Sequence, residues 1–203
     1  MTLTIVPDEF TLVLYGADDV RAVFDEVAGL LGLPADVAVS LEVDEELAQP
    51  LTGSYVDVRD GVVHLWYSGG NVEDTRRPRH LDPVRARREF AMGILRGLDR
   101  RDDAFRDAPA DDELTDAQRA LWDVAAEGRA ERAGIAMRPD RARYVYRLAC
   151  GFTDEADAAY DRLRGGAPTS WADIAATAAR LAPNAPKPRA GRRDDLRRRR
   201  GEG

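Results

Sequence analysis

One cysteine, one lysine and two histidines are all that this 203-residue chain holds of three residue types on which much protein chemistry depends. The single thiol, Cys150, allows no internal disulfide, and within "RLACGF" it reads as a small buried apolar residue rather than a nucleophile. Two imidazoles, His64 and His80, cannot close a structural zinc site unless carboxylates join them, so neither a metal nor a cofactor is expected. Nowhere do about 18 apolar residues run together. Met1 to Phe10 also lacks a basic segment followed by an apolar one, so no membrane span or signal peptide is read and the chain is placed in the cytoplasm. Phosphate-binding and hydrolase signatures are missing too. "SGGN" at 68–71 has neither the spacing nor the lysine of a P-loop, no G-x-G-x-x-G follows a strand, and there is no G-x-S-x-G elbow. The acidic residues Asp102, Asp103, Asp107, Asp111, Asp112 and Glu113 are not spaced for calcium.

What is present is an ordinary globular share of apolar residues, 44%, enough for one sizeable core or for one domain with a helical extension. The net charge of −7 hides an asymmetry. Residues 183–203 carry eight basic side chains (Lys187 and seven arginines) against three acidic ones, a net of +5 that leaves −12 on the rest. Such a body repels nucleic acid, whereas the Arg-rich tail could bind RNA, an anionic surface or another copy of the chain. The tail reads as a solvated, disordered end.

The pattern of periods predicts an α+β fold: a small mixed sheet with a β-hairpin and packed helices, then an all-helical extension. "LTIVP" and "FTLVLYG" are strand candidates separated by Pro7-Asp8. Residues 18–32 turn to a helical period with Val20, Val23, Phe24, Val27, Leu30 and Leu31 on one face, Asp18 as cap and Gly32 as stop. "VAVSLEV" alternates as a half-buried strand. In "SYVDVRDGVVHLWY" the Asp60-Gly61 turn fixes a hairpin register of Arg59 with Val62, Val58 with Val63, Asp57 with His64, Val56 with Leu65 and Tyr55 with Trp66. One face is then apolar, and the other carries Tyr55, Asp57, Arg59, His64 and Trp66. After a connection at 71–82, Asp82 caps a helix that begins with Pro83 and runs to about Arg100. It buries Val84, Phe90, Ala91, Ile94, Leu95 and Leu98, and Gly93 and Gly97 leave room for a close neighbour. The α+β unit spans 1–100, an acidic linker 101–113 and a helical extension 114–182. The extension comprises a helix capped by Thr115 and further helices at 140–150, 154–164 and 171–181, and a disordered tail follows at 183–203.

The order strand, helix, strand, strand, strand, helix, together with "REFAM" at 88–92, resembles the zincin fold of small metallopeptidases, whose active-site helix carries H-E-x-x-H. The resemblance covers about half of the chain. It puts Arg88 and Met92 at the two ligand positions and Glu89 at the glutamate. Zinc needs two imidazoles one helical turn apart, and an arginine and a methionine do not supply them, so the resemblance implies a catalytically inactive relative. The leading expectation is a zincin-like protein- or peptide-binding module that uses a sheet edge or the Tyr55/Trp66 face. A second is a hydrolase with an unconventional site of Asp57, His64, His80 and Glu89, in which Asp57 orients His64 as a base. A third is binding of RNA or an anionic surface through the tail. The sequence leaves the oligomeric state open.

Overall fold

Turn chemistry and residue alternation place all four main strands where the sequence puts them, and a fifth candidate forms no strand. The computed structural model describes residues 1–167 and 169–184. Strands β1 (Thr2–Val6), β2 (Ala38–Asp44), β3 (Ser54–Arg59) and β4 (Val62–Ser68) form one mixed sheet in the order β1-β2-β4-β3. β1 and β4 run parallel to β2, and β3 is the antiparallel edge strand. Parallel pairing of β1 with β2 requires a crossover, which α1 (Ala17–Leu31) provides. The β3–β4 hairpin has the register expected from Asp60-Gly61, both of which have positive φ (51° and 78°).

"FTLVLYG" is not a strand. Residues 10–16 follow an irregular path with Tyr15 buried and Phe10 and Val13 against the core. Their amides find a side chain in place of a ladder: Glu45 accepts from Thr11 N at 2.9 Å and from Leu12 N at 2.6 Å. α1 also begins earlier than expected. Gly16 is its N-cap, with Asp19 accepting from Gly16 N at 2.8 Å, and Asp18 lies inside the first turn.

A single turn of helix, α2 (Gly69–Val72), and a small hairpin, β5 (Glu73–Asp74) with β6 (Arg77–Leu81), lead to α3 (Pro83–Arg101). Asp82 caps α3 by accepting from Val84 N at 3.0 Å and Arg85 N at 3.1 Å. Phe90, Ala91, Ile94 and Leu95 are buried as expected, whereas Val84 in the first turn is 52% exposed. A Cβ on Gly93 would overlap the Tyr67 hydroxyl, and one on Gly97 would overlap Val63, so both glycines let α3 sit close on β4.

The segment expected to be a linker is packed. Residues 103–105 and 111–113 form short 3-10 turns, Phe105 stacks on Trp122 with ring centroids 5.0 Å apart, and Asp111 is 1% exposed. Arg96, Arg100 and Arg119 surround Asp111 and neutralise it, so the acidity of this stretch does not signal solvation. Helices α4 (Asp116–Arg132), α5 (Pro139–Cys150), α6 (Asp154–Arg164) and α7 (Trp171–Leu181) follow, with Thr115 as the expected cap of α4 and Thr153 and Ser170 capping α6 and α7. α4 joins the two halves. Ala126 and Ala130 belong to the core beneath the sheet, while Leu121, Trp122 and Val124 belong to a second core with Tyr146, Tyr160 and Trp171. Among the described residues no helix is long and apolar enough to cross a membrane. Of the tail expected at 183–203, residues 185–203 lie outside the described residues.

Candidate functional site

α3 faces the sheet with one side and α4 with another, and between these contacts it lines an open cleft. Two abutting cavities, of about 410 and 280 Å³, share Glu89, Met92, Asp123 and Glu127. The smaller reaches Ser54 and Val56 of edge strand β3; the larger extends to Arg138, Arg141 and Val145 of the α5 region. Arg88 also lines the larger cavity. All three α3 positions under the H-E-x-x-H pattern therefore open onto one cleft.

Each carboxylate of the cleft has a partner. Asn71 Nδ2 donates to Glu89 at 2.8 Å, and α2 holds Asn71 in place because Gly70 packs directly on the backbone of residues 48–51, where a side chain would collide. Burial pushes the Glu89 carboxyl up to about 7 against the opposing pull of Arg85 and the Asn71 bond. Glu127 is likewise pushed up to about 7 by burial, although Arg164 Nη1 donates to it at 3.0 Å. Asp123 lies 3.5 Å from Arg96 Nη1. Arg96 is buried and its pKa is pushed down to about 10 by desolvation, with its other amino group on Asp111.

The positive charges are arranged differently. Arg85, Arg88, Arg138 and Arg141 ring the larger cavity, and among the described residues none of them forms an ion pair. Arg88 Nε donates to the Val84 carbonyl at 3.2 Å, and its pKa is lowered by burial and by the like charge of Arg138.

The residues singled out from sequence do not converge. Val63, Leu65 and Tyr67 of β4 point to α3, and the Tyr67 hydroxyl donates to the Glu89 carbonyl at 2.8 Å. By alternation His64 lies on the opposite face, with the sheet between it and Glu89. Asp57 is the register partner of His64, yet its carboxylate is taken by Arg59 Nε at 2.5 Å and Val58 N at 2.8 Å. His80 sits on β6 with Nδ1 3.2 Å from the Pro78 carbonyl, and it lines neither cavity. Tyr55 is half-buried on the open face, and burial, followed by Asp57 and Asp112, raises its pKa. Trp66 is only 3% exposed, so it does not offer the aromatic binding surface expected of it. β4 is an interior strand, and in register Trp66 is flanked by Glu42 and Tyr55.

Compared with known protein families, with curated proteins and with solved structures, the chain matches none. The site therefore has to be read from its own residues. They do not fit zinc: no histidine or cysteine lines either cavity, and among the described residues no group of three or more His, Cys, Asp or Glu is arranged around a metal position. Sequence reading missed Asn71, Arg96, Asp123, Glu127, Arg138 and Arg141. For Asp123 and Glu127 a signal existed, since their i, i+4 spacing puts both on one face of α4.

Proposed function

We propose that this chain is a non-catalytic binding module, a zincin-like α+β domain whose cleft receives an extended segment of a protein partner. The observation that carries this reading is the shared position of Arg88, Glu89 and Met92 on a cleft that also reaches β3, an edge strand paired on one side only. An extended peptide adds to such an edge through main-chain hydrogen bonds and needs no metal. The test passes a pool of tryptic casein peptides over the immobilised chain and identifies the retained fraction by mass spectrometry. Retained peptides are expected to come back intact and to be lost with Met92→Trp, which places an indole where the two cavities meet. Unchanged retention by Met92→Trp removes the cleft as the site.

One observation favours a second reading, a hydrolase. Glu89 and Glu127 line the same cleft and both have their carboxyls pushed up to about 7, so near neutral pH one can carry a proton while the other accepts one. His64 is not part of this version. Peptides returned shortened by the wild-type chain, and intact by Glu89→Gln, would decide for it.

A further inference from the structure

The outer face of α5 carries Tyr144, Val145 and Leu148, with Phe152 just past its end, and these are 58%, 51%, 62% and 64% exposed. Tyr144 and Phe152 meet edge to face at 6.5 Å, so the four form one surface rather than scattered side chains. The inner face of the same helix is fully used: Tyr146 and Cys150 are buried, and Arg143 and Arg147 pair with Asp157 and Asp161 of α6. The exposed apolar area is on the order of 400 Å², the size at which a surface patch marks an interaction site.

This patch is continuous with the cleft. Val145 lines the larger cavity beside Arg138 and Arg141, and Arg85 and Arg88 face them from α3. Of the carboxylates there, Asp123 pairs with Arg96 and Glu127 with Arg164, while Asp82 and Glu89 accept from amides and act on Arg85 and Arg88 without forming ion pairs among the described residues. Four arginines thus face two carboxylates that no ion pair occupies, so the balance of charge at this end of the cleft is positive, in a chain whose net charge is −7.

We infer that the α5 end of the cleft binds an acidic, apolar segment of a partner protein, whose carboxylates meet the four arginines and whose apolar side chains cover Tyr144, Val145, Leu148 and Phe152. This rests on the reading of the cleft as a peptide site and gives the partner its chemistry. Carboxylates and guanidiniums form bidentate, charge-assisted hydrogen bonds, and the apolar stripe supplies the buried contact that such pairs lack when they stand alone in water. Charge argues against two other occupants. The chain's own residues 185–203 carry a net +5, and a second copy pairing face to face would bring its arginines against these.

Three fluorescein-labelled synthetic 14-residue peptides test this by fluorescence anisotropy on the full chain: a peptide that alternates glutamate and leucine, the period of an extended segment, its lysine/leucine counterpart and its glutamate/serine counterpart. The glutamate/leucine peptide is expected to bind at least tenfold more tightly than either counterpart and to weaken with added salt. Arg138→Glu with Arg141→Glu, and Leu148→Ser with Phe152→Ser, should each weaken it at least tenfold without lowering the melting temperature, since all four side chains are exposed. Equal binding of the lysine peptide, or unchanged binding by either double variant, overturns the inference. So does binding only to vesicles of phosphatidylcholine and phosphatidylserine, or self-association that disappears with Leu148→Ser and Phe152→Ser. If casein peptides are retained and lost with Met92→Trp while the glutamate/leucine peptide fails, the cleft remains a peptide site and only its acidic partner is refuted. If both fail, both readings fall.

Discussion

Replacing Asp111 by alanine should destabilise the protein more than replacing any other acidic residue in the stretch 101–113. Asp111 is 1% exposed, and its carboxylate accepts from Arg96, from Arg119 Nη1 at 3.0 Å and from Arg100 Nη2 at 3.4 Å. Removing one partner of a buried ion pair typically costs about 3–5 kcal/mol, because the remaining charge is left without compensation in a medium that solvates it poorly. Arg96, at 4% exposure, is the charge left behind. Two contacts soften the loss: Asp123 stays 3.5 Å from Arg96, and both Arg96 and Arg100 lie over the Trp122 ring, at 5.0 and 4.9 Å. The expected cost is therefore at the lower end, about 3 kcal/mol. For a chain of this length each kcal/mol lowers Tm by roughly 2–4 °C, giving a drop of about 6–12 °C by calorimetry. Urea melts should show a lower midpoint with an unchanged slope. Asp103→Ala is the control. Its side chain is 88% exposed and, among the described residues, pairs with Arg106 alone at 2.6 Å, so its effect should stay within about 0.5 kcal/mol. A loss below about 1 kcal/mol for Asp111→Ala would refute the reasoning and return residues 101–113 to the status of a solvated connection.

The remaining predictions concern the cleft, the helix–sheet contact and the thiol. The Glu89 carboxyl, near 4.3 in an unfolded chain, is raised to about 7 in the fold, so the native state holds a proton that the unfolded state releases, and stability from this group falls as pH rises from about 4.3 through 7. Glu89→Gln should therefore melt higher than wild type at pH 8, with the gain gone near pH 4.5; an equal difference at both pH values would show that ionisation is not its cause. Gly97→Ala puts a methyl group into Val63 at an overpacking cost of about 1–3 kcal/mol, offset by about 1 kcal/mol of helix propensity. Gly29→Ala in α1 meets nothing within 4 Å, so thermal melts should show Gly97→Ala as a loss and Gly29→Ala as a gain of up to about 1 kcal/mol. Burial holds Cys150 at 2% exposure and pushes its thiol up to about 11, so Ellman's reagent should label it on the order of 100-fold more slowly in native than in denatured protein at pH 8.

The sequence by itself determined the features that depend on neighbours along the chain. Asp60-Gly61 set the hairpin register because a two-residue turn with positive φ at both positions leaves one pairing possible. Asp82, Thr115, Thr153 and Ser170 set helix starts because each satisfies amides two or three residues on. The spacing of Phe90, Ala91, Ile94 and Leu95 told which side of α3 is buried, and Gly93 with Gly97 told that something approaches closely, though not that it is β4. Only the tertiary structure decided what depends on elements distant in sequence. Trp66 is buried with Glu42 of β2 as well as Tyr55 of β3 beside it, and the β2 neighbour is invisible in the hairpin. Residues 10–16 have a strand's composition but find hydrogen bonds on Glu45, more than 30 positions away. Asp111 looks like one more solvated acid until arginines from α3 and α4 close on it. The cleft itself exists only because α4 packs beside α3, bringing Glu89 next to Asp123 and Glu127 and putting the sheet between Glu89 and His64. Local geometry is encoded in neighbouring residues, whereas the meeting of charges is encoded in packing.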